Sequence, residues 1–175
     1  ALKEIIEKET TREKVVIVRS IVPTRDIGFL PGDVKEKEQS YIQPYIGITQ
    51  ELFGNNKAYT QLVGNRQIEF LTTSFIRGVT IRNAIVVIDE FQNCVGRELD
   101  SVLTRVSDDC RIILSGDLNQ TDFDKTKERS GASDIIRIID SMKDFEKIHF
   151  GWQDIVRSGF VRDYLMTKDM LEIHF

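Results

Sequence analysis

The sequence predicts an α/β protein: three layers, doubly wound around a mostly parallel sheet. Short, continuous β-branched runs recur along the chain, namely "VVIVRS" from Val15, "IEFLTTS" from Ile68, "AIVVIDE" from Ala84, "RIILSGD" from Arg111 and "FEKIHF" from Phe145. Strands that are apolar on both faces belong inside a sheet covered by helices on each side. Segments with helical spacing lie between them, at about 37 to 52, 96 to 106, 131 to 142 and 154 to 172. Alternation of the two types is the α/β signature. The third observation is where the polar residues fall. Arg19 with Ser20, Asp89 with Glu90, and Gly116 with Asp117 each close an apolar run at its carboxyl end.

The bounds agree with one domain. At 175 residues, with 41% apolar and 30% charged side chains, the chain can bury one good core. A net charge of -4 supplies no general basic field, so a polyanion would have to be held by a local patch. No run approaches the roughly 20 apolar residues of a membrane span, and no signal-peptide pattern opens the chain. Cys94 and Cys110 lack zinc-ligand spacing and read as reduced thiols. A cytoplasmic protein without a membrane partner is expected.

The elements follow in order. "ALKEIIEKET" has the pattern of the later turns of an amphipathic helix. From Ser20, "SIVPTRDIGFLPGDVKEKEQSYIQPY" carries Pro23, Pro31 and Pro44 and reads as a long, irregular, functional connection. Gly54, Gly64, Gly78, Gly116 and Gly131 fall where turns are needed. "NQTDFDKTKERSGA" is a polar loop, and its charges, like those of "KEKE" from Lys35, read as solvated surface.

Ligands of parallel α/β sheets bind at the carboxyl ends of the strands. There "AIVVIDEFQN" puts two adjacent carboxylates directly after a buried strand. Asp89 is placed to hold magnesium, a hard cation that takes oxygen ligands. Glu90 is placed to polarise an attacking water. Neighbours along a strand point to opposite faces, but at a strand's last residue the backbone turns and both can address one site. One strand later "SGDLNQTD" supplies Asp117 and the amide of Gln120, suited to sensing a terminal phosphate.

The segment "FIRGVTIRNAIVVIDEFQNCVGRELDSVLTRVSDDCRIILSGDLNQTDF" resembles the core of the PhoH-like family, phosphate-starvation ATPases related to the first motor domain of superfamily 1 helicases. "VRSIVPTRDIGFLPGDVKEK" resembles that family's TRP...LGFLPGD segment, and "DIVRSGFVRDYL" resembles its DVVRHPLV close. The resemblance implies a RecA-like P-loop NTPase core that binds ATP and Mg2+. It makes Asp89 and Glu90 the Walker B pair, places Gln120 in the sensor motif, and implies that the sensor strand lies between the Walker B and phosphate-loop strands. Arg157 becomes the arginine finger, acting in cis or from a neighbouring subunit of a ring. Arg19 and Arg77 are expected to contact nucleotide or polynucleotide, with Asp117 beside them. RNA or single-stranded DNA is the expected coupled partner, by the helicase relationship alone.

The departures are specific. Val79 stands in "RGVT" where the family has arginine, Phe91 in "DEFQN" where it has alanine, and Gly159 in "RSGFV" where it has proline. None touches Asp89, Glu90 or Gln120. No GxxxxGKS/T phosphate loop occurs in the 175 residues, although this chemistry needs its amides and lysine. The expectation is that the chain begins downstream of that loop and that these residues alone bind ATP poorly. Three other readings are a catalytically silent nucleotide-binding or scaffold domain, a nucleic-acid module using Arg19, Arg25, Arg77 and Arg162, and a metal-dependent nuclease built on Asp89, Glu90 and Asp117.

Overall fold

A computed structural model describes residues 1–21, 34–76, 78–117 and 131–173. They form two compact units, Ala1–Ile136 and Arg137–Phe175.

The first unit is built on strands β1 (Lys14–Arg19), β2 (Ile68–Thr72), β3 (Ala84–Asp89) and β4 (Arg111–Ser115), in the order β2-β1-β3-β4. Every pairing is parallel. Helices α1 (Leu2–Ile6), α2 (Val34–Phe53), α3 (Ala58–Gly64) and α4 (Gly96–Leu103) flank the sheet, and α5 (Ala132–Asp140) begins in this unit. The expected α/β class and four of the expected strands are therefore present.

The central strands were legible because parallel strands must be apolar on both faces. Val15, Ile17 and Ile85 pack on one face with Ile5 of α1, Leu62 of α3 and Ile68 of β2. Val16, Val18, Val86 and Ile88 alternate with them along the strands and are fully buried. Leu99 and Val102 of α4 are also fully buried. β4 lies at the edge of the sheet, with Arg111 and Ser115 exposed and the three residues between them half-buried.

The register sets the functional edge. Arg19 stands opposite Thr72 on one side and Asp89 on the other, and Asp89 stands opposite Ser115. The carboxyl ends of all four strands thus form one row.

Three expectations about elements are corrected. "FEKIHF" forms no strand: residues 145–150 are irregular, with Ile148 and Phe150 about three-quarters exposed. Its apolar residues are interrupted by Glu146, Lys147 and His149, so it lacks the two apolar faces of the four real strands. The helix expected at about 37 to 52 is present as α2, but it begins earlier, at Val34, and contains Pro44, so the connection read as irregular through Tyr45 ends sooner. The last helix starts only at Gly159, after a turn of 3-10 helix at Trp152–Asp154. The remaining connection, 22–33, and the second polar loop, 118–130, lie outside the described residues.

The second unit carries α6 (Gly159–Met170), capped by Ser158, whose hydroxyl accepts from the Val161 N–H at 3.5 Å. Trp152 Nε1 donates to Asp169 Oδ2 at 3.1 Å, tying the 3-10 turn to α6. Lys147 and Asp140 form an ion pair at 2.6 Å.

Candidate functional site

β3 delivers Asp89 and Glu90 to the middle of the strand-end row. Asp89 is the last strand residue, and Glu90 leaves the strand in the left-handed region at φ 51°, ψ 42°. Non-glycine residues adopt that conformation at a cost of roughly 1–3 kcal/mol, and such strain gathers at functional sites. The backbone thus turns abruptly between the two consecutive carboxylates.

Each carboxylate is held by a different neighbour. Tyr45 of α2 donates its hydroxyl to Asp89 Oδ2 at 2.5 Å. Arg19 Nη1 lies 4.0 Å from the same oxygen. Burial, then the Asp89 carboxylate, push the Tyr45 phenol well above its ordinary range, while Arg19 opposes them. The phenol is therefore a firm donor. Arg19 also lies over the ring of Tyr41, 5.7 Å from its centroid, a cation–π distance.

Glu90 Oε2 accepts from Gln92 Nε2 at 2.6 Å. The other end of that amide, Gln92 Oε1, accepts from the Asp117 N–H at 3.2 Å. Gln92 is 2% exposed, so one buried amide bridges the ends of β3 and β4. The bridge requires glycine at 116, where a Cβ would stand 2.1 Å from Gln92 Oε1 and 2.8 Å from Phe91 Cδ1.

A third carboxylate ties the strand ends together. Glu98 accepts from Ser20 Oγ and Thr73 Oγ1, each at 3.0 Å, and from the Val95 N–H at 3.3 Å. The last contact satisfies one of the orphan donors at the start of α4. The other two fasten the segments that follow β1 and β2.

The structure thus brings together Asp89, Glu90, Arg19 and the Asp117 backbone. Arg157 is exposed, directly before the Ser158 cap in the second unit. Gln120, Arg77 and Arg25 lie outside the described residues. Tyr45, Gln92 and Glu98 are additional members. Gln92 belongs to the "DEFQN" motif, and Glu98 sits where a helix N-terminus favours a carboxylate. Tyr45 carries no local signal.

Among the described residues no three His, Cys, Asp or Glu side chains gather as a metal cage. Mg2+ needs no such cage, because it keeps several waters and takes one or two carboxylates together with substrate phosphates. Asp89 fits that role: its side chain is 25% exposed at the strand-end row, and among the described residues only Oδ2 is engaged. Among the described residues no helix is long and apolar enough to cross a membrane.

The chain matches the PhoH-like protein family over residues 1–168. It is 30% identical over 161 residues to Protein PhoH of Escherichia coli (strain K12), covering 91% of this chain and 45% of that protein. Over 116 residues it is 39% identical to Protein PhoH2 of Bacillus subtilis (strain 168), covering 63% of this chain and 26% of that protein. A PhoH-like protein of Mycobacterium leprae (strain TN) is 26% identical over 175 residues, 99% of this chain and 49% of its own. The chain spans about half the length of the first and third of these relatives and about a quarter of the second. With a parallel sheet ending in paired carboxylates and a match along nearly its whole length, the chain belongs to the PhoH family.

Proposed function

We propose that this domain is a Mg2+-dependent ATP hydrolase module whose turnover is coupled to RNA or single-stranded DNA. One observation carries the reading: Asp89 and Glu90 end a central parallel strand, and Glu90 is turned out in a left-handed conformation and locked by Gln92. That arrangement suits a division of labour. Asp89 holds Mg2+, which neutralises phosphate charge, while Glu90 accepts a proton from the attacking water. Gln120 and Asp117, after β4, report on the terminal phosphate. Arg19 and Arg77 contact nucleotide or polynucleotide, and Arg157 stabilises the charge on the transferring phosphoryl group, in cis or across a ring interface.

The phosphate loop is the remaining requirement, and no GxxxxGKS/T occurs in these residues. The outer edge of β4 has no partner strand among the described residues. The lack of the motif also favours a second reading, a silent nucleotide-binding or scaffold domain.

The test uses the full-length protein. Mg2+-dependent binding of ATP is measured by calorimetry, and phosphate release is followed with and without single-stranded RNA. Glu90→Gln is expected to keep binding and to lose turnover by 10²-fold or more, the scale of a general base. Arg157→Ala is expected to lose about 10³-fold in kcat with binding intact. Equal loss of binding and turnover in Glu90→Gln gives Glu90 a structural role. Binding without any turnover in the unmodified protein establishes the silent domain instead.

A further inference from the structure

We propose that Tyr45 is a positioning residue for the cation: its phenol and Arg19 both engage Asp89 Oδ2, leaving Oδ1 as the metal-coordinating oxygen. This rests on the reading of Asp89 as the Mg2+ ligand.

A carboxylate with two equivalent oxygens can rotate between them, whereas Mg2+ demands near-ideal octahedral geometry. A hydrogen bond to one oxygen removes that freedom. Partners of this kind orient metal ligands, and their loss costs about 10–100-fold in metal affinity.

Tyr45 is itself rigidly placed. Its ring packs against Phe70 of β2, with centroids 5.9 Å apart and planes tilted by 46°. Its carbonyl accepts from the hydroxyl of Thr49, a buried residue one turn on. One turn before it, Tyr41 lies under the Arg19 guanidinium. Residues four apart share a helix face, so α2 applies two tyrosines to the two charged residues that face each other across β1 and β3. The helix thereby fixes both ends of the Arg19–Asp89 pair, and any displacement of α2 is transmitted to the cation ligand.

The experiment compares the full-length protein with its Tyr45→Phe variant, which keeps the ring and removes the oxygen. Mn2+ serves as the probe, its binding read by electron paramagnetic resonance in the presence of a non-hydrolysable ATP analogue. Analogue binding without divalent cation and the melting temperature are measured alongside. The expected result is a Kd for Mn2+ raised about tenfold or more, with cation-free analogue binding and melting unchanged. Unchanged Mn2+ affinity overturns the role of Tyr45 and leaves the ATPase reading standing. Parallel loss of Mn2+ affinity, cation-free binding and melting temperature makes Tyr45 a packing residue and overturns the proposal. If the unmodified protein with the analogue binds no Mn2+, the metal role of Asp89 fails first, and this inference falls with it.

Discussion

Gln92 and Glu90 are joined side chain to side chain, Gln92 Nε2 donating to Glu90 Oε2 at 2.6 Å. The donor is almost wholly buried and the acceptor is the carboxylate proposed as the catalytic base. Because Gln92 also accepts from the Asp117 N–H, a shift at the end of β4 reaches Glu90 through one amide. Gln92→Ala is expected to leave ATP binding near its original level and lower kcat, since a loosened Glu90 harms the transition state more than the ground state. Steady-state kinetics showing a change in KM alone would oppose this coupling.

Gly116 is the residue that lets the bridge form. A methyl group there would stand 2.1 Å from Gln92 Oε1 and 2.8 Å from the Phe91 ring. Both neighbours are buried, so neither has solvent to move into. Gly116→Ala is expected to destabilise the fold by about 1–3 kcal/mol, a fall of roughly 2–4 °C per kcal/mol in the melting temperature. Turnover should drop as in Gln92→Ala. A stable variant with normal kcat would show that Gln92 can find another rotamer.

Gly131 and Gly96 make an asymmetric pair. A Cβ on Gly131 would lie 2.0 Å from Gly96 Cα and 2.2 Å from Gly96 N, whereas one on Gly96 would meet only Gly131 Cα at 3.4 Å. The first clash is with backbone, which has no rotamer to offer. Gly131→Ala should therefore cost about 3 kcal/mol or more by overpacking, while Gly96→Ala should lie within about 0.5 kcal/mol of the original. Urea denaturation of the two variants tests the contrast, and equal costs would contradict it.

The sheet was legible because its signal is local. Each of β1, β2, β3 and β4 is a short apolar run whose burial follows from its own residues, and the Asp89–Glu90 pair sits at the end of one of them. "FEKIHF" has bulky residues too but is interrupted by the adjacent charges of Glu146 and Lys147, and content alone does not make a strand. The site partners are a different matter. Tyr45 meets Asp89 across 44 residues, and Ser20 meets Glu98 across 78. No spacing rule connects them, because register between strands and the seating of α2 decide which side chains meet. The helical spacing at about 37 to 52 was legible despite Pro44, and α2 contains that residue, but which side chain its Tyr45 would meet was not.

Cys94 supplies a prediction about alkaline stability. Its side chain is fully buried, and burial first, then the charge of Glu98, push the thiol up to about 12 from 9.0. The folded state thus holds the thiol proton more tightly than the unfolded state does. The resulting stability is complete below pH 9 and is lost progressively as pH rises from about 9 towards 12. Urea denaturation at pH 8 and pH 10.5 should show a larger loss for the original protein than for Cys94→Ala, the comparison cancelling the other groups that titrate there. Thiol labelling at pH 8 gives an independent check: the half-buried Cys110 should react in the native protein, and Cys94 only after unfolding. Rapid labelling of Cys94 in the native state would mean that the segment around "DEFQN" opens on the time scale of the reagent, which the buried Gln92 bridge argues against.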